Sequence, residues 1–586
     1  MIVLGLSRDV HDPASALVVD GEVVAAAEEE RFTRVKHAPH TPPVRSARFC
    51  LESASLSASD VDLVAYPWSL DAYRENRWVF ARRVGPILPR HAWRAVIRTG
   101  SRWRREEAGL EKVLSSLGVD RGRTVLRSVP HHLAHAASAG PPSGLGRYLA
   151  LTADAMGEFD SAGAWLVRDG RWRKVWTLHL PDSLGTFFTA VTEFLGFEPN
   201  DGEYKTMGLA ALGNPEAVDL SPFCRLEGSG AWADPRHVFP PRAHRRGGRY
   251  FGVEFERALG PPGMGERPRP PYTDIAAAAQ KIVEDAVLGW LRGPLKGALE
   301  SAGGNLCLAG GVALNVRLNG FLLREPSVKR LWVQPASSDA GGALGAAVWA
   351  SIRAGECCRP LAHAFLGPRF ESGALRRLLE SRRLPFSEPP DLEKEAAQRL
   401  AGGETLGRFD GAMEWGPRAL GNRSILAHPG RPGTADRVNA AVKFRERWRP
   451  FCPAVLESRA PEIFGAREPS PFMTVNHDVS PAWRSRIAEV VHADGTARIQ
   501  TVDPVATPGF HRLLEAFSER TGLPVLLNTS LNRRGEPIAC TPEDALDIFF
   551  GSGLDALILG PFLLSKSDLG KRRNDGGIRE SSRGSR

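Results

Sequence analysis

"NLCLAGGVALNVRLNG", residues 305–320, reads as three joined pieces: an apolar strand, a glycine pair at Gly310 and Gly311, and the start of a helix. A glycine pair at a strand-to-helix turn lets backbone amides approach a phosphate or a ribose, because no side chain intervenes and the helix N-terminus favours negative charge. One such pair says little. Immediately downstream, "KRLWVQPASSDAGGALGAAVWAS" repeats the plan with a strand, a loop carrying Asp339 and a helix of small residues. Upstream, residues 274–301 place apolar residues at helical spacing and predict one helix.

Two strand-rich blocks precede these units. "IVLGL" followed by "SALVVDGEVVAAAEEE" turns at Asp20 and Gly21, and "GRYLALTADAMGEFDSAGAWLVRDGRWRKVWTL" turns at Asp169 and Gly170. Each block is a strand, a polar loop carrying His11 and Asp12 or Asp154, and a further strand pair. Two similar openings, followed by two glycine-pair units, point to a duplicated α/β fold with the two-lobed nucleotide cleft of actin, the sugar kinases and the heat-shock ATPases. Pro360, Pro368 and the glycines around 355–372 break the pattern, so a boundary is expected there and a second α/β unit from Gly373.

A chain of 586 residues is too long for one core, and 42% hydrophobic with 24% charged residues is the balance of a soluble globular protein. There is no apolar run of membrane-spanning length and no basic leader, so a cytoplasmic location is expected. The seven cysteines form no C-x-x-C pair and are read as reduced thiols.

The net charge of +9 is uneven: residues 74–105 hold ten arginines and one glutamate, and the tail from Ser565 to Arg586 holds seven basic and three acidic residues. The bulk of the chain is therefore mildly acidic. The tail, taken as 566–586, has little to bury and is expected to be disordered. In the arginine-rich insert, residues 73–110, Trp78, Trp93 and Trp103 interleave with the charges. That pattern suits a single-strand nucleic-acid platform, a membrane-surface helix, a lid over a bulky substrate, or a solvated helical face over buried tryptophans.

"PHHLAHAASAG", residues 130–140, sets His131 and His135 on one face if it is helical, with His132 pointing away. Such pairs also cap helices or bond within cores, so partners decide. Asp154, at the end of "YLALTAD", and Asp339, after "LWVQP", lie at strand ends, which meet at a cleft in α/β folds and would complete a His2Asp2 set. Mixed nitrogen and oxygen ligands suit Fe(II), Mn(II) or Zn(II) better than Mg(II).

The segments "HDPASALVVDGEVVAAAEEERFTRVKH", "HHLAHAASA", "GEYKTMGLAALG", "LAGGVALN", "SSDAGGALGAA" and "EWGPRALGNRSILAHP" together resemble the NodU/CmcH O-carbamoyltransferases, in the family's order over nearly the whole chain. The resemblance implies an N-terminal domain, residues 1–357, similar to the threonylcarbamoylation ATPase-like protein, and a YrdC-like α+β domain, residues 373–565. It implies that carbamoyl phosphate is hydrolysed to carbamate in the C-terminal site. The carbamate passes through an internal channel, reacts with ATP (with Mg(II)) to carbamoyl adenylate, and is transferred to a hydroxyl of a small-molecule natural product.

By the same resemblance Asp12, Arg418, Lys443, Arg449, Arg498, Asn528 and Ser530 bind substrate. Asp154, Ala155 and Met156 contact the nucleotide, and Gly310, Gly311 and Asn315 hold its adenosine. The metal, Fe(II) first among the candidates, sits on His131, His135, Asp154 and Asp339. His11 is the base for the acceptor alcohol, which is a poor nucleophile until deprotonated, and Lys36 holds an oxygen beside the carbamoyl group. A tRNA threonylcarbamoyladenosine-type enzyme is the alternative, and an ATPase-like regulator without group transfer a further one. Against the tRNA reading, the positive charge is confined to insert and tail, so no nucleic-acid partner is expected. Neither the acceptor nor the oligomeric state follows from the residues.

Overall fold

The computed structural model describes residues 1–8, 11–227, 230–233, 249–263 and 267–568. The opening block forms β1 (Ile2–Ser7), β2 (Ala14–Val19) and β3 (Glu22–Glu28), each antiparallel to the one before. β4 (Leu63–Tyr66) then runs parallel to β1, and β5 (Val125–Ser128) parallel to β4. The sheet order is β3-β2-β1-β4-β5. β1, β2 and β4 are buried nearly throughout, which is why they read as apolar runs without alternation.

The second block repeats this. β6 (Arg147–Gly157), β7 (Asp160–Arg168) and β8 (Arg171–His179) are antiparallel in turn. After a small ribbon of β9 (Cys224–Glu227) and β10 (Gly230–Ala233), β11 (Asn305–Ala309) and β12 (Arg330–Val333) add in parallel beside β6. The order β8-β7-β6-β11-β12 matches β3-β2-β1-β4-β5 strand for strand. The expected duplication is therefore present.

Three local expectations change. The helix expected over residues 274–301 is two, Tyr272–Arg292 and Lys296–Ser301, because Pro294 cannot continue the ladder begun before Gly293. Asp154 lies within β6 rather than in a loop. In the insert, helices Leu70–Val84 and Pro89–Leu117 leave Trp78 and Trp93 mostly exposed, so only Trp103 approaches the buried role that a solvated face would give all three.

The C-terminal part is built on a seven-stranded mixed sheet whose middle strands include Leu406–Phe409, Arg423–Ala427, Cys452–Leu456 and Val525–Ser530. It has its own core, from Leu375 to Leu564. Lys566 is still attached, its backbone donating to the Asp555 carbonyl, whereas the rest of the expected tail from residue 569 lies outside the described residues. The two parts are joined by directed bonds: Arg31 donates to the Gly416 carbonyl (2.8 Å), Gly416 N–H to Glu28 (2.9 Å), and Arg34 to the Ile538 carbonyl (2.6 Å). The segment after β3 is thereby seated on the loop that carries Arg418. Among the described residues no helix is long and apolar enough to cross a membrane.

Candidate active site

The histidines come first, because their helix, His131–Ala139, is buried almost completely. Its N-terminus is held by Glu158, whose carboxylate accepts from His131 N–H and Ser69 N–H. Burial pushes that carboxyl up to about 7. The small-residue helix Asp339–Arg353 lies against it, and the approach requires glycine: a Cβ on Gly345 would stand 1.7 Å from the Ala134 carbonyl oxygen. That contact brings Asp339, in the first turn of its helix, beside the imidazoles. From the other side the β6–β7 register slips between Ala153 and Gly157, a bulge that takes Asp154, Ala155 and Met156 off the ladder.

The four expected ligands meet. His131 and His135 Nε2 are 3.1 Å apart; Asp154 Oδ2 lies 3.2 Å from His135 and 3.7 Å from His131; Asp339 Oδ1 lies 3.6 Å from both. One donor atom from each residue falls within 4.8 Å of every other. Metal–ligand bonds of about 2.0–2.2 Å in a tetrahedron imply ligand–ligand edges of about 3.4 Å, which these distances bracket. Asp154 Oδ2 is buried and accepts no well-directed hydrogen bond despite both imidazoles beside it, as suits a donor aimed at a shared cation. Burial alone would lower His131, but Asp154 and Asp339 raise it to about 9. Burial likewise opposes ionisation of Asp154, and the two imidazoles nevertheless hold it well below the carboxylate range. His132 turns away, bonding Thr152 at 3.0 Å, and burial lowers it to about 3. The donor set fits a divalent first-row metal.

Next to this cluster stands a chain of titratable groups. His11 Nε2 is 4.0 Å from Asp339, and its Nδ1 is 3.5 Å from Asp12. Asp12 accepts from His37 Nδ1 (2.7 Å), and His37 Nε2 faces Asp201 (3.2 Å), which also pairs with Lys36. Burial would lower His37, but Asp12 and Asp201 raise it to about 10, so it is an imidazolium at neutral pH. Burial would raise Asp12, and the two histidines hold it well below its ordinary range instead. His37 and Asp201 were missed in the sequence, although His37 ends the quoted "TRVKH" and Asp201 immediately precedes "GEYKTMG". Asp12 and His37 both sit at positive φ, 52° and 59°, an uncommon backbone for non-glycine residues that serves to close this chain.

Around the expected nucleotide loop, Ala155 O accepts from Ser183 Oγ (2.7 Å) and Met156 packs near Phe80 and Leu180. Gly310 holds φ 89° with the Ala153 carbonyl 2.3 Å from where a Cβ would be, so the turn presses on β6; a Cβ on Gly311 would stand 3.0 Å from Asp154 Oδ1. Asn315 is largely committed elsewhere: it caps its helix through Leu318 N–H and exchanges two bonds with Gln280.

In the C-terminal part Arg418, Arg449, Arg498 and Lys443 converge, together with Arg445, which sequence reasoning passed over within "VKFRERWRPF". Burial first, and then Arg498, lowers Arg418 to about 9; burial and then Arg449 do the same for Arg445. Among the described residues no carboxylate lies within 4.0 Å of a charged nitrogen of Arg418, Arg445 or Arg498; Glu446, 3.5 Å from Arg449, is the exception to the expected absence of neutralising acids. Arg498 Nε donates to Cys452 Sγ at 3.0 Å. Lys443, lowered by burial and then by Arg445 and Arg449, is held by the Ser530 and Asn532 carbonyls at 2.8 and 3.0 Å, and Ser530 Oγ donates to Asn532. Asn528 donates to Gln500 and Ala419 while its buried Oδ1 has no partner, leaving an acceptor for a donor ligand.

Tyr204 bridges the two groups. Arg449 stands over its ring at 4.8 Å and Lys36 at 5.7 Å, one cation from each part of the chain.

Residues 2–348 match the family model described as Carbamoyltransferase N-terminus, and residues 397–566 the one described as Carbamoyltransferase C-terminus. The chain belongs to the carbamoyltransferase family. It is 37% identical to Nodulation protein NolNO of Sinorhizobium fredii over 95% of this chain and 79% of that one. It is 36% identical to Uncharacterized protein sll1178 of Synechocystis over 98% of both. Among solved structures T. kodakarensis HypF aligns with a TM-score of 0.32 at 13% identity, over 60% of this chain and 47% of that one. Carbamoyl transfer is thus the reaction class of this carbamoyltransferase.

Proposed function

We propose that the protein is an ATP-dependent O-carbamoyltransferase acting on a hydroxyl of a small-molecule acceptor, with residues 1–357 and 373–565 as its two working domains. The observation that carries the reading is the cationic pocket of Arg418, Arg445, Arg449 and Arg498, which faces the Lys36 loop across Tyr204. Converging guanidiniums match a small dianion such as carbamoyl phosphate, and the free Asn528 Oδ1 matches the amide hydrogens of its carbamoyl group. Water cleaves this substrate to carbamate and phosphate.

Carbamate then moves past Tyr204 and attacks ATP, giving carbamoyl adenylate and pyrophosphate. The acceptor oxygen attacks the carbamoyl carbon, its proton passes to His11, and AMP leaves. Asp12 orients His11 and is itself held by the His37 imidazolium, whose charge to about pH 10 disqualifies it as the base. His131, His135, Asp154 and Asp339 would hold the metal, Fe(II) first, which when bound supplies Lewis acidity at the departing phosphate.

The test is His11→Asn. Adenylate formation needs no proton from the acceptor, so this variant should exchange pyrophosphate into ATP with carbamoyl phosphate present, yet lose about 10² to 10⁴-fold in transfer. Carbamoyl adenylate should accumulate for detection by mass spectrometry. Loss of pyrophosphate exchange would remove His11 from the role of acceptor base.

A further inference from the structure

The arginine-rich insert belongs to neither group of site residues, yet its root borders one of them. Phe80, Val84 and Ala92 are buried together with Leu180, against Met156 and Phe159. Arg83 donates to the His179 carbonyl (2.8 Å) and pairs with Asp182. These contacts use the inner face of the hairpin. Away from these contacts the hairpin exposes Trp78 (56% exposed) and Val79 on the first helix, and Trp93 (61%) and Ile97 (59%) on the second. Trp93 and Ile97 are one turn apart and share a side. Exposed arginines lie among them: Arg74, Arg82, Arg90, Arg94, Arg98, Arg104 and Arg105.

We propose that this hairpin docks the protein on an anionic lipid surface. Helices that combine a dense arginine complement with exposed tryptophan and aliphatic side chains lie in the boundary layer of a bilayer, with the rings at headgroup depth and the guanidiniums on anionic headgroups. Charge complementarity selects the surface, since residues 70–105 hold ten arginines against Asp71 and Glu75. Each arginine brought to such a surface favours partitioning about five-fold. Ile97 and Val79 weigh against a single-stranded nucleic acid as the occupant: bases stack on aromatic rings and gain little from aliphatic side chains. Docking through these exposed side chains leaves the root contacts to Met156 and Phe159 in place, so the cleft beside them is carried to the surface intact.

The test is flotation of the full-length protein with vesicles of phosphatidylcholine alone or with about one-third phosphatidylglycerol. The protein should float with the anionic vesicles only and be released by high salt. Trp78→Ser with Trp93→Ser and Ile97→Ser should reduce partitioning at least ten-fold, and Arg82→Gln with Arg90→Gln and Arg94→Gln about one-hundred-fold. All six positions are exposed, and thermal melts matching the wild type would show that loss of binding is not loss of fold. No flotation with anionic vesicles, undiminished flotation of the two triple variants, or tight binding of a single-stranded oligonucleotide with none to vesicles would each overturn the proposal.

Discussion

Replacing Arg418 by methionine should make the protein more stable and less able to bind its anion. The guanidinium stands in a half-buried cleft, where burial first, and then the charge of Arg498, lowers it from the usual guanidinium range to about 9. At neutral pH it keeps its proton, so the fold bears the cost of holding it charged. At about 1.4 kcal/mol per tenfold the difference corresponds to on the order of 5 kcal/mol, of which water in the cleft leaves about 1 to 3.

The sign follows from the direction of the shift. With the folded value below the unfolded one, the penalty is complete below about pH 9 and diminishes as pH rises through that value. Methionine retains much of the stem and removes the charge, so the melting temperature without ligand should rise by about 2 to 10 °C at neutral pH. The wild type should recover its deficit on adding carbamoyl phosphate or inorganic phosphate, by about 2.7 kcal/mol at a hundredfold excess over Kd. The variant should show no such shift and no carbamoyl phosphate turnover. Scanning fluorimetry with and without phosphate reads both effects. A variant that melts lower and still responds to phosphate would refute the argument that this arginine is held for an anion.

Removing one imidazole should leave the fold standing: His135→Ala is expected to retain the wild-type circular dichroism spectrum while losing about 10 to 100-fold in metal affinity, measured by elemental analysis after dialysis against a weak chelator. Gly345→Val should cost about 2 to 4 kcal/mol in denaturant unfolding and loosen metal binding, because its side chain would occupy the space of the Ala134 carbonyl. For His37→Gln, the lost stability should be greatest below about pH 6.5 and fade as pH rises through about 10, since the folded imidazole is raised between Asp12 and Asp201; denaturation midpoints across pH 6 to 10.5 that differ by a constant amount would exclude this. Tyr204→Ala should remove the ring between Lys36 and Arg449 and increase the carbamoyl phosphate consumed per product formed, read as the ratio of phosphate to AMP released.

The segments that announce themselves in the sequence are those whose own period or punctuation suffices. The Asp20–Gly21 and Asp169–Gly170 turns, the apolar strands around them and the i, i+4 spacing of His131 and His135 are local facts, and the duplicated sheets and the shared face of the two imidazoles follow from them. The break at Pro294 is equally local, because proline lacks the donor that a helix needs, even though the apolar spacing runs on through it. Other features depend on contacts between distant segments. Asp154 points at the histidines because β6 bulges against β7, and Asp339 reaches them because Gly345 lets two helix backbones approach without a side chain between them. Arg445 was indistinguishable in sequence from its neighbour Arg447, which is exposed; folding half-buries the one beside Arg449 and Lys443 and leaves the other in water. His37, Asp201 and Tyr204 acquired their roles in the same way, because the charges that decide them lie on segments that only tertiary packing brings within a few ångströms.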